Sequence, residues 1–113
     1  QVTLFKETQI ENQTFLLHGV LDYLRAGHIW DCKFSKTYHL NKYLNVPQTS
    51  MYLALVPEAF DFTYIICDGK YVYRERYPRY IVQPIEPEIK NFMNFCKKHD
   101  LWNTYLEKWR VNN

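Results

Sequence analysis

An α+β domain around a mixed β-sheet is what this sequence predicts, and three features predict it. The front half alternates apolar and polar residues at the period of a strand, two prolines bracket a helix in the middle, and the last part carries helical periodicity. The resulting order, ββ-β-α-β-β-αα, combines strands that pair directly with strands separated by a helix, which is the pattern of an α+β fold. At 113 residues, 47% apolar and 18% aromatic, the chain is one domain, long enough to bury a core and poor in the composition of disorder. No internal repeat and no linker composition divides residues 1–113.

Residues 2–8 (VTLFKET) predict a first strand that turns near Glu11-Asn12. Residues 14–24 (TFLLHGVLDYL) have leucines that would suit a helix capped by Gly27. However, Gly19 costs a helix interior about 1 kcal/mol relative to alanine, and the aromatic, β-branched run that follows needs a partner, so a strand is predicted. The turn Arg25-Ala26-Gly27-His28 leads into residues 28–38, the clearest alternation in the chain: Trp30, Cys32 and Phe34 against Asp31, Lys33 and Ser35. Successive strand side chains point to opposite faces, so the apolar trio is expected in the core and Asp31 and Lys33 on the accessible face. Antiparallel pairing through the turn brings Asp22 alongside, and the first three strands then form an antiparallel meander.

Residues 39–45 read as a polar loop. Pro47 suits the first turn of a helix that runs to Leu55 and is stopped by Pro57. On it Gln48 and Tyr52, four apart, project from one face. Residues 60–67 (FDFTYIIC) predict another strand, Asp68-Gly69 a hairpin, and KYVYRERY its antiparallel return, followed by a short extended piece at Tyr80–Val82. Pro87 opens an amphipathic helix through His99 with Ile89, Phe92, Met93 and Cys96 on its buried stripe. Asp100 is expected to cap a last helix carrying Trp102, Tyr105, Leu106 and Trp109, which read as packing residues.

Charge and cysteine usage narrow the function classes. A formal charge of +2 neither demands nor excludes a nucleic-acid partner. Arg74, Arg76 and Arg79, interleaved with Tyr71, Tyr73 and Tyr77, could track a phosphate backbone or form the wet face of an edge strand. Three cysteines, Cys32, Cys67 and Cys96, are odd in number and contain no CxxC, which argues against a zinc or iron–sulfur site and for buried thiols of a cytosolic protein. No stretch reads as a signal peptide, and no apolar run is long enough to span a membrane. The Asn12-Gln13-Thr14 sequon and the aromatic content keep a secreted, ligand-binding β-protein open as a rival.

Two carboxylates and an ammonium converging on one strand face have the donor set of a divalent-cation site, although solvated acids paired to a lysine would look the same. Three blocks carry the argument further. Gly19-Val20-Leu21-Asp22, Ile29-Trp30-Asp31-Cys32-Lys33 and Gln48-Thr49-Ser50-Met51-Tyr52 resemble G-h-h-D, h-h-(D/E)-x-K and Q-x-x-x-Y, where h is apolar. These are the signature blocks of the RecB-like, phage-exonuclease-type branch of the PD-(D/E)xK nuclease superfamily. Relatives include nuclease domains of bacterial recombination helicases, phage exonucleases and CRISPR adaptation nucleases.

The resemblance implies a restriction-endonuclease-like core and a Mg²⁺- or Mn²⁺-dependent exonuclease acting on DNA in recombination, repair or phage DNA processing. It implies a bacterial or phage-infected bacterial cytoplasm, DNA as partner and no membrane. By resemblance Asp22, Asp31 and the backbone carbonyl of Cys32 hold the metal, Lys33 orients or activates the attacking water or steadies phosphate charge, and Gln48 and Tyr52 position the DNA strand. The Cys32 side chain is expected to point into the core. Relatives carry an upstream helix with a His or Glu ligand, whereas this chain opens at its first strand. The expectation is therefore a nuclease domain without that N-terminal helical portion, either the remainder of a larger nuclease or a reduced form, with Glu7 or His18 as substitutes and a homo-oligomer as one arrangement. A DNA-binding module of the same fold with a crippled site is the nearest alternative.

Overall fold

The computed structural model describes residues 2–109, in the order β1 (Val2–Ile10), β2 (Gln13–Leu21), β3 (Tyr23–Arg25), β4 (His28–Phe34), α1 (Pro47–Leu55), β5 (Asp61–Cys67), β6 (Val72–Pro78), a 3₁₀ turn (Arg79–Ile81), α2 (Glu86–Lys98) and α3 (Trp102–Trp109). The architecture is α+β with parallel and antiparallel pairing, as the alternation and the proline-bounded helix require. Instead of one continuous meander, the strands form two sheets, a β1–β2 ribbon and a four-stranded sheet of order β3-β4-β5-β6. The chain bends at Asp22, between them. Helix α1 touches β1 and β2 of the ribbon and β5 of the sheet, a contact on two sheets that an unbroken strand could not provide.

Both hairpins of the front half have turns suited to their sequences. Glu11 and Asn12 take φ of 50° and 67°, and Ala26 and Gly27 take 51° and 82°, the doubly positive pattern that matches strand twist. Strand β4 pairs in parallel with β5, the connection carrying α1, and β5 returns antiparallel as β6. The β5–β6 loop is closed by Asp68, whose Oδ1 accepts the amide protons of Lys70 and Tyr71 at 2.8 and 2.7 Å.

The two faces of β4 are the reverse of the expectation. Ile29 and Asp31 are buried with Phe62, Tyr64, Ile66 and Tyr77, whereas Cys32 and Phe34 are exposed, Phe34 at 87%, and Trp30 is half-buried on their side. Alternation specifies that a strand has two faces but not which one the helix covers, and α1 covers the acidic one. The Cys32 thiol consequently lies at the surface, Cys67 is half-buried, Cys96 is buried, and all three are free.

Gly19 is where α1 meets β2. A Cβ there would lie 2.5 Å from Leu55 Cδ1 and 2.7 Å from Tyr52 Cε1, so only glycine admits the helix at this distance. Gly19→Ala is expected to lower stability by about 1–3 kcal/mol through overpacking. Denaturant titration reads the loss, and an unchanged midpoint would show that α1 moves freely.

The back half differs from expectation in detail. Of the expected extended piece Tyr80–Val82, Val82 is extended, whereas Tyr80 and Ile81 belong to the 3₁₀ turn of residues 79–81. In α2, Ile89, Met93 and Cys96 are buried, but Phe92 is 40% exposed and meets Tyr105 edge-on at 5.2 Å. Asp100 does not cap α3. It takes φ 57° just after α2, where Leu101 donates its N–H to the Cys96 carbonyl at 2.7 Å, a left-handed helix terminator. Among the described residues no helix is long and apolar enough to cross a membrane.

Candidate functional site

The acidic site follows from register. The last β3–β4 pair is Tyr23 with Trp30, and continuing one residue sets Asp22 opposite Asp31. Opposite residues of an antiparallel pair share a face, so the two carboxyl groups lie on one side of the sheet, Asp31 buried and Asp22 at the surface, within hydrogen-bonding reach of one another when one holds a proton. Lys33, two residues along β4, places Nζ 3.1 Å from Asp31 Oδ2.

Environment separates the two acids. Asp31 is only 6% exposed, and burial, followed by the neighbouring Asp22, pushes its carboxyl up to about 6 against the pull of Lys33. Exposed Asp22 receives the Asp31 hydrogen bond and faces the Cys32 amide, and Lys33 is close; together they hold it below the usual carboxylate range. Like charges this close favour a shared proton, which the pair keeps as the solution becomes more acidic than about 6. The Lys33 ammonium is an ion-pair neighbour that is not aligned as a donor, so Asp31 Oδ2 is buried with no hydrogen-bond partner. Such an orphaned oxygen is costly unless something accepts its lone pairs.

The Cys32 peptide completes this edge. In an antiparallel ladder one residue's N–H and C=O address the same neighbour. The Cys32 amide faces Asp22, and its carbonyl therefore lies on that side too, beyond the last pair of β3. Two carboxylates and a carbonyl are hard oxygen donors of the kind Mg²⁺ and Mn²⁺ take.

Tyr52 and Gln48 stand on α1, both half-buried. The Tyr52 hydroxyl donates to the Val20 carbonyl at 3.0 Å, and its ring stacks on Phe62 at 5.9 Å. Tyr52 thus anchors the helix to β2 two residues before Asp22. Beneath it, Thr49 donates to the Tyr43 carbonyl, so the 2.7 Å contact between Thr49 Oγ1 and Tyr64 Oη has the tyrosine as donor. Tyr64 pairs across from Asp31, and burial drives its phenol well above the ordinary range.

Sequence reasoning missed Tyr64, Glu75 and Asp61. Glu75 is buried, accepting from the Asn41 amide at 2.8 Å and the Tyr77 hydroxyl at 3.0 Å. The signal for it was parity: in Tyr73-Arg74-Glu75-Arg76-Tyr77 the acid shares its face with the two tyrosines. The arginines share the other face, so Tyr73 and Tyr77 cannot interleave with them, and Tyr71 lies in the hairpin loop.

Arg74, Arg76 and Arg79 do not join the acidic pair. Arg76 Nε donates to Asp61 Oδ2 at 2.6 Å and Arg74 lies over the Trp30 ring at 5.0 Å, both on the outer face of the sheet. Arg79 donates to the carbonyls of Ala59, Leu53 and Val56 at 2.8, 2.8 and 2.5 Å and so closes the C-terminal end of α1. A guanidinium committed to three carbonyls is withdrawn from phosphate contact.

Glu7 and His18 do not supply a third ligand. Glu7 is exposed opposite Leu16 on the ribbon, and His18 is exposed and stacked on Phe5 at 4.7 Å. Among the described residues no three His, Cys, Asp or Glu side chains group around one ion.

No family model and no curated protein matches the chain. Among solved structures it is similar to the crystal structure of SSO0001, with a TM-score of 0.60 and 14% identity over 87% of this chain and 48% of that one. The chain spans about half the length of that protein, and at this identity the likeness is one of fold.

Proposed function

We propose that this chain is a Mg²⁺- or Mn²⁺-dependent deoxyribonuclease domain with a restriction-endonuclease-like core, hydrolysing DNA phosphodiester bonds as an exonuclease in recombination, repair or phage DNA processing. The observation that carries this reading is the Asp22–Asp31 pair with its orphaned Oδ2 beside Lys33. Lys33 offsets part of the cost of burying the Asp31 carboxyl, and an ion shared with Asp22 would offset more of it. Asp22, Asp31 and the Cys32 carbonyl would hold the ion, and bound it would neutralise phosphate charge and acidify a water.

The remaining work belongs to the chain. Lys33 sets a compact positive charge and three donors beside Asp31, where they can orient a water or hold a phosphoryl oxygen. Tyr52 fixes the distance between α1 and β2, the strand that ends just before Asp22, and Gln48 extends the same helix face toward a DNA strand.

Ion binding is expected to depend on pH. With Asp31 raised to about 6, a more acidic solution leaves a proton on the pair that the ion must displace. An ion at about 100 times its Kd stabilises by about 2.7 kcal/mol, or roughly 10 °C in Tm for a domain of this size. Mn²⁺ is expected to raise Tm by that order at pH ~7.5 and by clearly less at pH ~5. No shift, or equal shifts at both pH values, would remove the metal reading.

A second reading, a DNA-binding module that does not cleave, is favoured by the absence of a third acid, His or Cys beside this pair among the described residues. Release of nucleotides from DNA in Mn²⁺ separates the two. The secreted alternative loses its disulfide framework, since the three thiols are free.

A further inference from the structure

We propose that the outer face of the four-stranded sheet binds single-stranded nucleic acid, with bases stacked on Trp30 and Phe34 and phosphates held by Arg25, Arg74 and Arg76. The inference rests on the nuclease reading for the kind of polymer, and on the reverse side of the sheet for its place. Strand parity puts Tyr23, Trp30 and Phe34 on this face, away from α1 and the core, and leaves Tyr23 47% and Phe34 87% exposed. An uncovered sheet face ordinarily carries polar residues at such positions.

Charge selects the occupant. Among the described strand positions of this face, Asp61 is the one acid, and it is 1% exposed and already engaged by His28 Nδ1 at 2.7 Å and Arg76 Nε at 2.6 Å. Arg25 and Arg74 are exposed with no acid facing them from their own sheet. A second copy docked about a twofold axis would set guanidinium against guanidinium. An apolar segment would bury these cations unpaired. A single strand meets both demands, because every base has a π-face and every linkage an anion.

Geometry agrees. Trp30 and Phe34 are four residues apart on β4, about 13 Å, two aromatic footholds on one line. Arg25 on β3 and Arg74 on β6 flank that line from both sides. The exposed Arg74 guanidinium lies over the Trp30 ring at 5.0 Å, so a base that takes this place on the ring moves the cation aside toward its own phosphate. Paired bases offer no free faces to stack, so the surface prefers single strands to duplex.

The test is anisotropy of fluorescein-labelled oligo(dT) with the full chain in EDTA, which keeps the acidic site out of the measurement. Wild type is expected to bind, with affinity falling ~20-fold between about 50 and 200 mM salt for three phosphate contacts. Trp30→Ala and Arg74→Glu are each expected to weaken binding ~10-fold or more, while the exposed Glu107→Gln on α3 binds as wild type. Should Trp30→Ala unfold, Arg74→Glu and the exposed Phe34→Ala carry the test. No binding by wild type, or binding indifferent to Arg74 and Phe34, overturns the proposal. So does a concentration-dependent dimer abolished by Phe34→Ala, which would make this face an interface between copies. Failure here leaves the Mn²⁺ stabilisation untouched, and failure of that stabilisation leaves this binding intact, so the two readings fall separately.

Discussion

Asp31→Asn is expected to abolish metal-dependent DNA cleavage and at the same time to stabilise the metal-free protein near neutral pH. The carboxyl of Asp31 sits at about 6 in the fold against an ordinary 3.8. A raised carboxyl favours the folded state at low pH, fully so below the ordinary value, and that contribution is lost as pH rises through about 6. The difference corresponds to at most ~3 kcal/mol. Asp22, held low, acts in the opposite sense but is exposed, so the gain from a neutral Asn is about 1–2 kcal/mol at pH ~7.5 and vanishes toward pH ~4. Denaturant titration across this range checks the stability arm, and nucleotide release in Mn²⁺ checks the activity arm. A variant less stable than wild type at the higher pH would mean that the Asp31 charge is fully compensated, and the argument from its orphaned oxygen would fall.

Lys33→Met carries the second large effect, and it separates holding an ion from using it. The ammonium 3.1 Å from Asp31 repels a cation as well as steadying the acid. Removing it is expected to preserve stabilisation by Mn²⁺ while cleavage falls ~10²–10³-fold, the size of loss seen when one transition-state donor is deleted. Without the pull of Lys33, the Asp31 carboxyl rises further, and the pH at which Mn²⁺ begins to stabilise moves up with it. Lys33→Arg is not expected to rescue, since a planar fork on a longer reach is not a compact point charge. Retained cleavage in Lys33→Met would leave the lysine a structural partner of Asp31 and nothing more.

The local turns and helix limits were legible because their residues act through their own backbone. Gly27 and Asn12 accept positive φ, Asp68 folds its loop back on itself, and Pro47 starts a helix that ends two residues before Pro57. The juxtaposition of Asp22 with Asp31 was readable too, since a short turn fixes register. What failed required knowing what lies across a gap. Trp30 and Phe34 look like core on any apolar count, yet α1 settles on the Asp31 side, and no local property of β4 states that. Arg79 looks like the third member of a basic run, but Pro78 ends β6 and the next residue turns toward the carbonyls of α1. Asp100 has the chemistry of a cap and was assigned to the wrong helix, because a short polar side chain also tolerates the left-handed conformation that ends the preceding one.

The β1–β2 ribbon has its own practical consequence. Its nine paired positions carry the Glu11-Asn12 tip roughly 30 Å along the strands from Asp22. A reporter dye or affinity handle attached at the exposed Asn12 would sit far from the Asp22–Asp31 pair, whereas a bulkier insert would have to spare the contact of Glu11 with Lys90 on α2, 3.3 Å away.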